Sequence, residues 1–355
     1  MSTKEIIFMA LTFLVAFAFT FASVPIVHRL AFKIGAIDVP KDGRRMHKKP
    51  IPRLGGLAII FGFLVALACF GHMTRSLAAI LAGAVIIVAM GVVDDCKNLD
   101  AKLKFVIQII AALVVIIGGN LRITVMTNPN IFSDNPYLVF PWWLSGIATI
   151  LWIVFITNAV NFIDGLDGLA AGVSAIMSVS LVFIAVRIGE YSVAIVGLAL
   201  MGACFGFLPF NFNPAKIFMG DTGSTFLGFM LATLSIQGVF KSYAIISFAV
   251  PLLILGLPLF DAIFAMIRRI YHGKSPMAAD RGHLHHRLID MGFSQKQTVF
   301  ILYAISGVLG ITAVLLAENG PLRALILAIA VLIFILINGM MSKNSAQSNE
   351  EEIEE

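Results

Sequence analysis

Most of the acids that could do chemistry in this chain stand where apolar stretches end. Asp94 and Asp95 close one stretch, Asp164 and Asp167 follow another, Asp221 lies between two more, and Asp261 lies near the end of a later one. Two carboxylates about 5 Å apart repel by roughly 3 kcal/mol at an effective dielectric near 20. Four or five gathered in one place therefore need a cation or a proton. An oxygen-rich ligand set suits a hard ion, and Mg²⁺ characteristically uses one or two carboxylates together with water and substrate phosphates. That pattern points towards phosphate chemistry. Cys69, Cys96 and Cys204 show no spacing of a disulfide framework or a zinc site.

Three further segments carry polar groups at suggestive spacing. Asn158, Asn161, Asp164 and Asp167 recur every third residue, and each such step falls about 60° short of a full helical turn. One unbroken helix cannot present all four together, so Gly165 and Gly168 are the expected break, with Asp164 ending one helix and Asp167 capping the next. Around the next acid, Asp221 either caps a helix or points at a metal, and the N–H groups of Gly223 and Ser224 suit phosphate oxygens. Asn211 and Asn213 offer amides for a base edge, and Phe218 offers a flat stacking face. Later, Arg281, His283, His285, His286 and Arg287 crowd one loop. The helical i, i+4 zinc pattern is absent there, and anion binding fits better.

These groups need positioning elements, and composition says what kind. Of 355 residues 59% are apolar and 13% charged, about half the charge of soluble proteins, which excludes an ordinary soluble enzyme. Five acids fall in the last six residues, so the rest of the chain holds 25 basic and 15 acidic residues, a net +10. Nucleic acid is a poor explanation for that charge in a chain made mostly of long apolar runs; a membrane surface or a phosphorylated ligand fits. A bilayer core takes roughly 20 apolar residues per helix. About eleven such stretches are predicted, centred on Val15, Leu64, Ile86, Leu113, Ile153, Val179, Leu200, Met230, Leu255, Leu309 and Ile329, with ten as the alternative. The ninth carries Pro251 and Pro258. Alternating the connections between two sides puts nineteen basic residues on one side and six on the other. The positive-inside rule makes the first side cytoplasmic, with the N-terminus outside and the C-terminus inside. The fold expected is thus all-α and polytopic, with residues 1–341 as the membrane domain and 342–355 as an acidic, disordered tail. Glu5, Asp134, Glu190 and Glu318 are the external acids; the signature aspartates share the cytoplasmic side.

Together these residues resemble the polyprenyl-phosphate N-acetylhexosamine-1-phosphate transferases, membrane enzymes that move a sugar phosphate from a UDP-sugar onto a lipid phosphate. The resemblance covers about residues 35–290. Its parts are residues 44–56, including Arg44, His47, Lys48, Lys49, Pro52, Gly55 and Gly56; Asp94 and Asp95; residues 161–168; residues 211–224; and the His283, His285, His286 triplet. The His-x-His-His form is similar to the branch using UDP-N-acetylglucosamine, which includes enzymes that begin teichoic acid or O-antigen-type polymers. The branch that handles the muramoyl-pentapeptide precursor shows three consecutive histidines followed by Phe-Glu, and a Thr-Pro-Thr-Met-Gly-Gly segment. At those places this chain has His-Leu-His-His-Arg and Ile-Pro-Arg-Leu-Gly-Gly.

The resemblance implies Asp221 as the Mg²⁺ ligand, Mn²⁺ being the alternative ion, and Asp94 and Asp95 where the lipid phosphate is deprotonated or positioned. Asp164 joins them as a catalytic carboxylate. Asp167, Asn211 and Phe218 match uridine-contacting positions, and Asn161 a substrate-binding one. His283, His285, His286 and Arg281 surround the diphosphate, and Lys104 and Lys49 are phosphate-side bases. UDP-GlcNAc, polyprenyl phosphate and the bilayer are the implied partners, a homodimer is compatible, and nucleic acid is not expected. The implied location is the bacterial plasma membrane, with the site facing the cytoplasm.

Two mechanisms remain open: direct attack of the lipid phosphate on the sugar-linked phosphorus, or a covalent phospho-aspartate. Other donors, including the muramoyl-pentapeptide one, stand as alternatives within the family. A secondary transporter is the reading from another class; it places such acids near the bilayer midplane, not at one face.

Overall fold

The computed structural model describes residues 2–39, 50–128, 135, 137–240, 248–273, 282–318 and 329. Helix α1 (Thr3–Ile34) opens on a capping box, in which Ser2 Oγ accepts from the Glu5 N–H and Glu5 Oε2 accepts from the Ser2 N–H. It stops at Gly35, whose φ of 76° lies in the left-handed region that favours glycine. The other helices are α2 (Gly56–Phe70), α3 (Arg75–Lys97), α4 (Ala101–Gly119), α5 (Trp142–Phe162), α6 (Leu169–Arg187), α7 (Tyr191–Asn211), α8 (Gly220–Ser235), α9 (Ala249–Ile254), α10 (Gly256–Tyr271), α11 (Leu284–Asp290) and α12 (Gln295–Glu318). A π-helical turn, Ile236–Phe240, extends α8.

Helix α8 is the axis of the molecule. Every residue from Thr222 to Ser235 is buried, small hydroxyl side chains among them, and α2, α3, α5 and α6 pack against it. Close approach is possible because glycine meets glycine: a Cβ on Gly56 would collide with the backbone of Gly223. Helices α1 and α7 pack together outside this layer, α7 also packs on α6, and α12 covers α6 and α9.

The outward surface is apolar. Ile26, Leu151, Ile311 and Ile117 are 68, 61, 63 and 72% exposed, the reverse of a soluble surface and the arrangement a lipid solvent requires. Among the described residues, seven helices are long and apolar enough to cross a membrane: α1, α3, α4, α5, α6, α7 and α12. The protein is an all-α polytopic membrane protein. Some polar side chains inside it pair across helices: Asn158 Nδ2 donates to Gln108 Oε1 at 2.6 Å, and Trp152 Nε1 donates to Ser235 Oγ at 3.0 Å.

The expected count of eleven is only partly matched among the described residues. Helices α2 and α8, with 15 and 16 residues, fall short of a full crossing by themselves. The ninth stretch is broken into α9 and α10 at Leu255, between Pro251 and Pro258, as the missing N–H and fixed φ of proline favour. The eleventh lies outside the described residues except for Ile329, and so does the tail at 342–355.

Two short antiparallel pairs complete the fold. Strand β1 (Ile37–Asp38) pairs with β2 (Ile51–Pro52), and β3 (Val125–Thr127) with β4 (Tyr137–Val139). From β2 the chain runs along the start of α8: Phe218 N donates to Pro52 O, Gly55 N to Phe218 O, and Gly56 N to Met219 O, at 2.8–2.9 Å. The connection between α1 and α2 is thereby fastened to the segment that carries Asp221.

Candidate active site

Neighbouring residues on a helix point about 100° apart, and the Asp94–Asp95 pair at the end of α3 divides accordingly. Asp94 Oδ1 accepts from Leu99 N at 2.6 Å, and its Oδ2 lies 2.9 Å from Lys104 Nζ. The same ammonium reaches Asp221 Oδ2 at 3.1 Å, so α4 supplies one cation between acids of α3 and α8. Asn161 Nδ2, from the end of α5, donates to Asp221 Oδ1 at 3.3 Å and to Ser224 Oγ at 2.8 Å.

Asp95 turns inward. Its Oδ1 accepts from Asp221 N at 2.9 Å, and its Oδ2 accepts from Thr222 N at 3.0 Å and Thr222 Oγ1 at 2.7 Å. The side chain is fully buried, with Arg53 Nη2 3.5 Å away. Met219, at the N-cap of α8, makes no side-chain cap, so Asp95 satisfies the orphan N–H groups from a neighbouring helix. This arrangement corrects one expectation: Asp221 is held by a cap and is not itself the cap. It corrects another, because Gly223 packs on Gly56 and Ser224 is fully buried, leaving their N–H groups facing protein where phosphate was expected.

After α5 the expected break is present. Gly168 stands at the N-cap of α6 with φ 82°. Asp167 does not cap α6, because its Oδ2 is taken by the next loop, accepting from Asn213 Nδ2 at 2.9 Å and Ala215 N at 3.0 Å. Asn211, expected to read a base, lines the cavity beside it with both ends of its amide bonded: its Oδ1 accepts from Gly168 N at 3.1 Å and its Nδ2 donates to Ile217 O at 3.0 Å. Asp164 sits in the turn, packed in protein yet open to the cavity beside it. Burial pushes its carboxyl well above the usual range; the charges of Asp221 and Asp95 add to the effect, and Arg53 opposes it.

The three histidines differ in exposure and partners. His283 Nδ1 lies 2.8 Å from Asp261 Oδ2, and Asp261 Oδ1 accepts from Leu284 N at 2.7 Å, so this acid both orients a ring and caps α11. Ring centroids of His283 and His285 stand 5.8 Å apart and nearly parallel. His285 abuts Gly165, where a Cβ would strike its Nε2. Burial, with the neighbouring His286 adding to it, holds the His285 imidazole down to about 3. His286 alone of the three lines the cavity. Lys49 and Arg281, expected to contact phosphates, lie outside the described residues.

That cavity has a volume of about 440 Å³, within the roughly 300–1,000 Å³ of small-ligand sites. Asp164, Asp167, Asn161 and Asp221 line it, together with Phe218, Asn213 and His286. Arg53 also lines it, as do Asp38 and Gln295. The sequence alone assigned no role to Arg53 or Gln295, and it grouped Asp261 with the other acids without a partner. A lone acid in an otherwise apolar stretch was the available signal for Asp261.

Among the described residues no three His, Cys, Asp or Glu side chains stand close enough to cage a metal ion. Asp164 and Asp221 nevertheless share the cavity wall with the Asn161 amide and no sulfur. Two carboxylates and an oxygen-rich wall fit the partial ligand set with which Mg²⁺ joins substrate phosphates.

Fold and cavity define a polytopic membrane protein that collects acids, cations and imidazoles at one end of its helix bundle. Residues 77–239 match the family described as Glycosyl transferase family 4. The chain is 39% identical over 341 residues to a probable undecaprenyl-phosphate N-acetylglucosaminyl 1-phosphate transferase of Bacillus subtilis, covering 95% of this chain and 93% of that one. It is 33% identical to a decaprenyl-phosphate N-acetylglucosaminephosphotransferase of Mycolicibacterium smegmatis, over 93% and 87% of the two chains. An undecaprenyl-phosphate alpha-N-acetylglucosaminyl 1-phosphate transferase of Salmonella typhi is 30% identical over 84% and 82%. The chain belongs to glycosyl transferase family 4, in the branch of these polyprenyl-phosphate sugar-1-phosphate transferases.

Proposed function

We propose that the protein transfers N-acetylglucosamine 1-phosphate from UDP-GlcNAc to undecaprenyl phosphate or a similar polyprenyl phosphate, releasing UMP. An oxygen of the lipid phosphate forms a bond to the sugar-linked phosphorus, and the bond from that phosphorus to the oxygen of UMP breaks. The product is a lipid-linked diphosphate sugar. The observation that carries this reading is the ammonium of Lys104 between Asp94 and Asp221, beside a polar cavity at the ends of membrane helices.

Asp221 and Asp164 are the residues that would hold Mg²⁺, or Mn²⁺ in its place; such an ion supplies charge neutralisation on the phosphates. Asp94, backed by Lys104, orients the incoming lipid phosphate. Arg53 and His286 face the diphosphate from the cavity side, while Phe218 and the Asp167–Asn213 pair meet the nucleoside. His285 acts as a neutral packing partner, and His283 as a ring fixed by Asp261. Two anions that repel in water are thus aligned by fixed charges, and that alignment accounts for most of the rate.

The basic bias of one set of connections supports a cytoplasmic cavity with the N-terminus outside. An aqueous donor then meets an acceptor whose apolar tail stays among the helices. Purified protein given polyprenyl phosphate and separate UDP-GlcNAc, UDP-GalNAc and UDP-muramoyl-pentapeptide, scored by product mass, tests the donor. The UDP-GlcNAc product is expected to dominate; preference for the muramoyl donor would overturn the assignment.

A further inference from the structure

Residues 210–218 form a partition with two faces. Asn211, Asn213 and Phe218 line the active-site cavity, whereas Phe210, Lys216 and Ile217 turn to a second cleft against α1. That cleft has a volume of about 230 Å³, and Val24, Pro25, His28 and Arg29 form its other wall. The two spaces share no lining residue.

The second cleft is apolar along its floor and cationic at its rim. Val24 and Ile217 are buried beneath it, while Arg29 and Lys216 are exposed. No carboxylate lines it, and among the described residues neither Arg29 nor Lys216 has an acid within ion-pair distance. Its height in the membrane follows from α1, whose 32 residues span about 48 Å against a hydrocarbon core of about 30 Å. Arg29, five residues before the end of that helix, therefore falls at headgroup level, with Val24 and Pro25 just below it.

We propose that this cleft binds the headgroup of an anionic phospholipid, with Arg29 and Lys216 on the phosphate and Val24, Pro25 and Phe210 against the glycerol and first methylenes. A free phosphate ion would gain nothing from the apolar floor, whereas an amphiphile matches both parts. Bound there, the lipid braces the back of the same segment whose front forms the nucleotide cavity.

The test uses the full chain in phosphatidylcholine vesicles containing increasing phosphatidylglycerol, followed by detergent extraction and native mass spectrometry of retained phosphatidylglycerol. A basic side chain near anionic lipid contributes about fivefold in affinity, so Arg29→Gln with Lys216→Gln is expected to weaken retention about 25-fold. Arg29→Lys alone is expected to retain it. Lys33→Gln with Lys97→Gln removes the same charge at the same end of the bundle but outside the cleft, and is expected to leave retention unchanged. Equal weakening in both double variants, or none in the first, overturns the proposal. So does full competition by inorganic phosphate or glycerol 3-phosphate, which would assign a free-anion site. The assay needs neither donor nor UMP release, so its failure is separable from failure of the transferase reading.

Discussion

Lys104 Nζ lies 3.1 Å from Asp221 Oδ2 and, on its other side, 2.9 Å from Asp94 Oδ2. One ammonium therefore offsets repulsion between acids from two helices. Replacing it by Met leaves the two carboxylates facing each other unscreened. Lys104→Met is expected to lower UMP release about 100- to 1,000-fold, the range found when a preorganised charge partner is lost. Lys104→Arg, which keeps the charge with a different shape, is expected to recover part of that loss. Wild-type turnover in Lys104→Met would remove the lysine from the mechanism.

Asp95 is bonded to the first N–H groups of α8, and its expected role is positioning. A carboxylate cap of this kind contributes about 2 kcal/mol. Asp95→Ala is expected to lower the melting temperature in detergent and to reduce kcat, with little change in the KM for donor. A variant with unchanged melting but abolished turnover would instead make Asp95 a reacting group.

Asp261 holds His283 through one oxygen and α11 through the other. In Asp261→Asn the backbone bond to Leu284 can persist, but the ring loses its charged partner. By analogy with groups that orient metal-ligating histidines, a loss of about 10- to 100-fold in kcat is expected. Rescue by Asp261→Glu would support orientation by the carboxylate; an Asn variant as active as wild type would exclude it.

His285 gives a pH dependence with a definite sign. Its folded-state value, about 3, lies below the unfolded value of 6.5. Between these values the unfolded chain binds the extra proton, so this residue's contribution to stability falls as pH drops through that window. The slope is at most about 1.4 kcal/mol per pH unit. Thermal melts at pH 7 and pH 5 are expected to show a larger acid loss in wild type than in His285→Gln, by about 2 kcal/mol. Equal losses would show that the ring takes up a proton as readily as it does in water.

Much of this architecture was legible in the sequence because lipid imposes a simple rule. Long apolar runs must be helices, and nine of the eleven expected centres fall in them. The break at Gly165 and Gly168 was legible too, since a three-residue polar repeat cannot stay on one helical face. What sequence left ambiguous was which partner each acid takes. Asp167 has the position of a cap, but Asn213 and Ala215, 46 and 48 residues away, take its oxygen. Asp94 and Asp95 read as one motif, although the helical rotation between neighbours already implied that they must face different partners. Asn211 carries a free-looking amide in the sequence, and only packing shows both of its ends committed to backbone.

In the proposed reaction one cavity joins a nucleotide donor to a lipid phosphate through Asp221. Its most direct test is the stoichiometry of UMP and lipid diphosphate sugar formed by purified protein with UDP-GlcNAc, polyprenyl phosphate and Mg²⁺, beside Asp221→Asn. Wild type is expected to form the two products in equal amounts, and a folded Asp221→Asn neither. Undiminished product from that variant, or uptake of UDP-GlcNAc into vesicles without UMP, would contradict it.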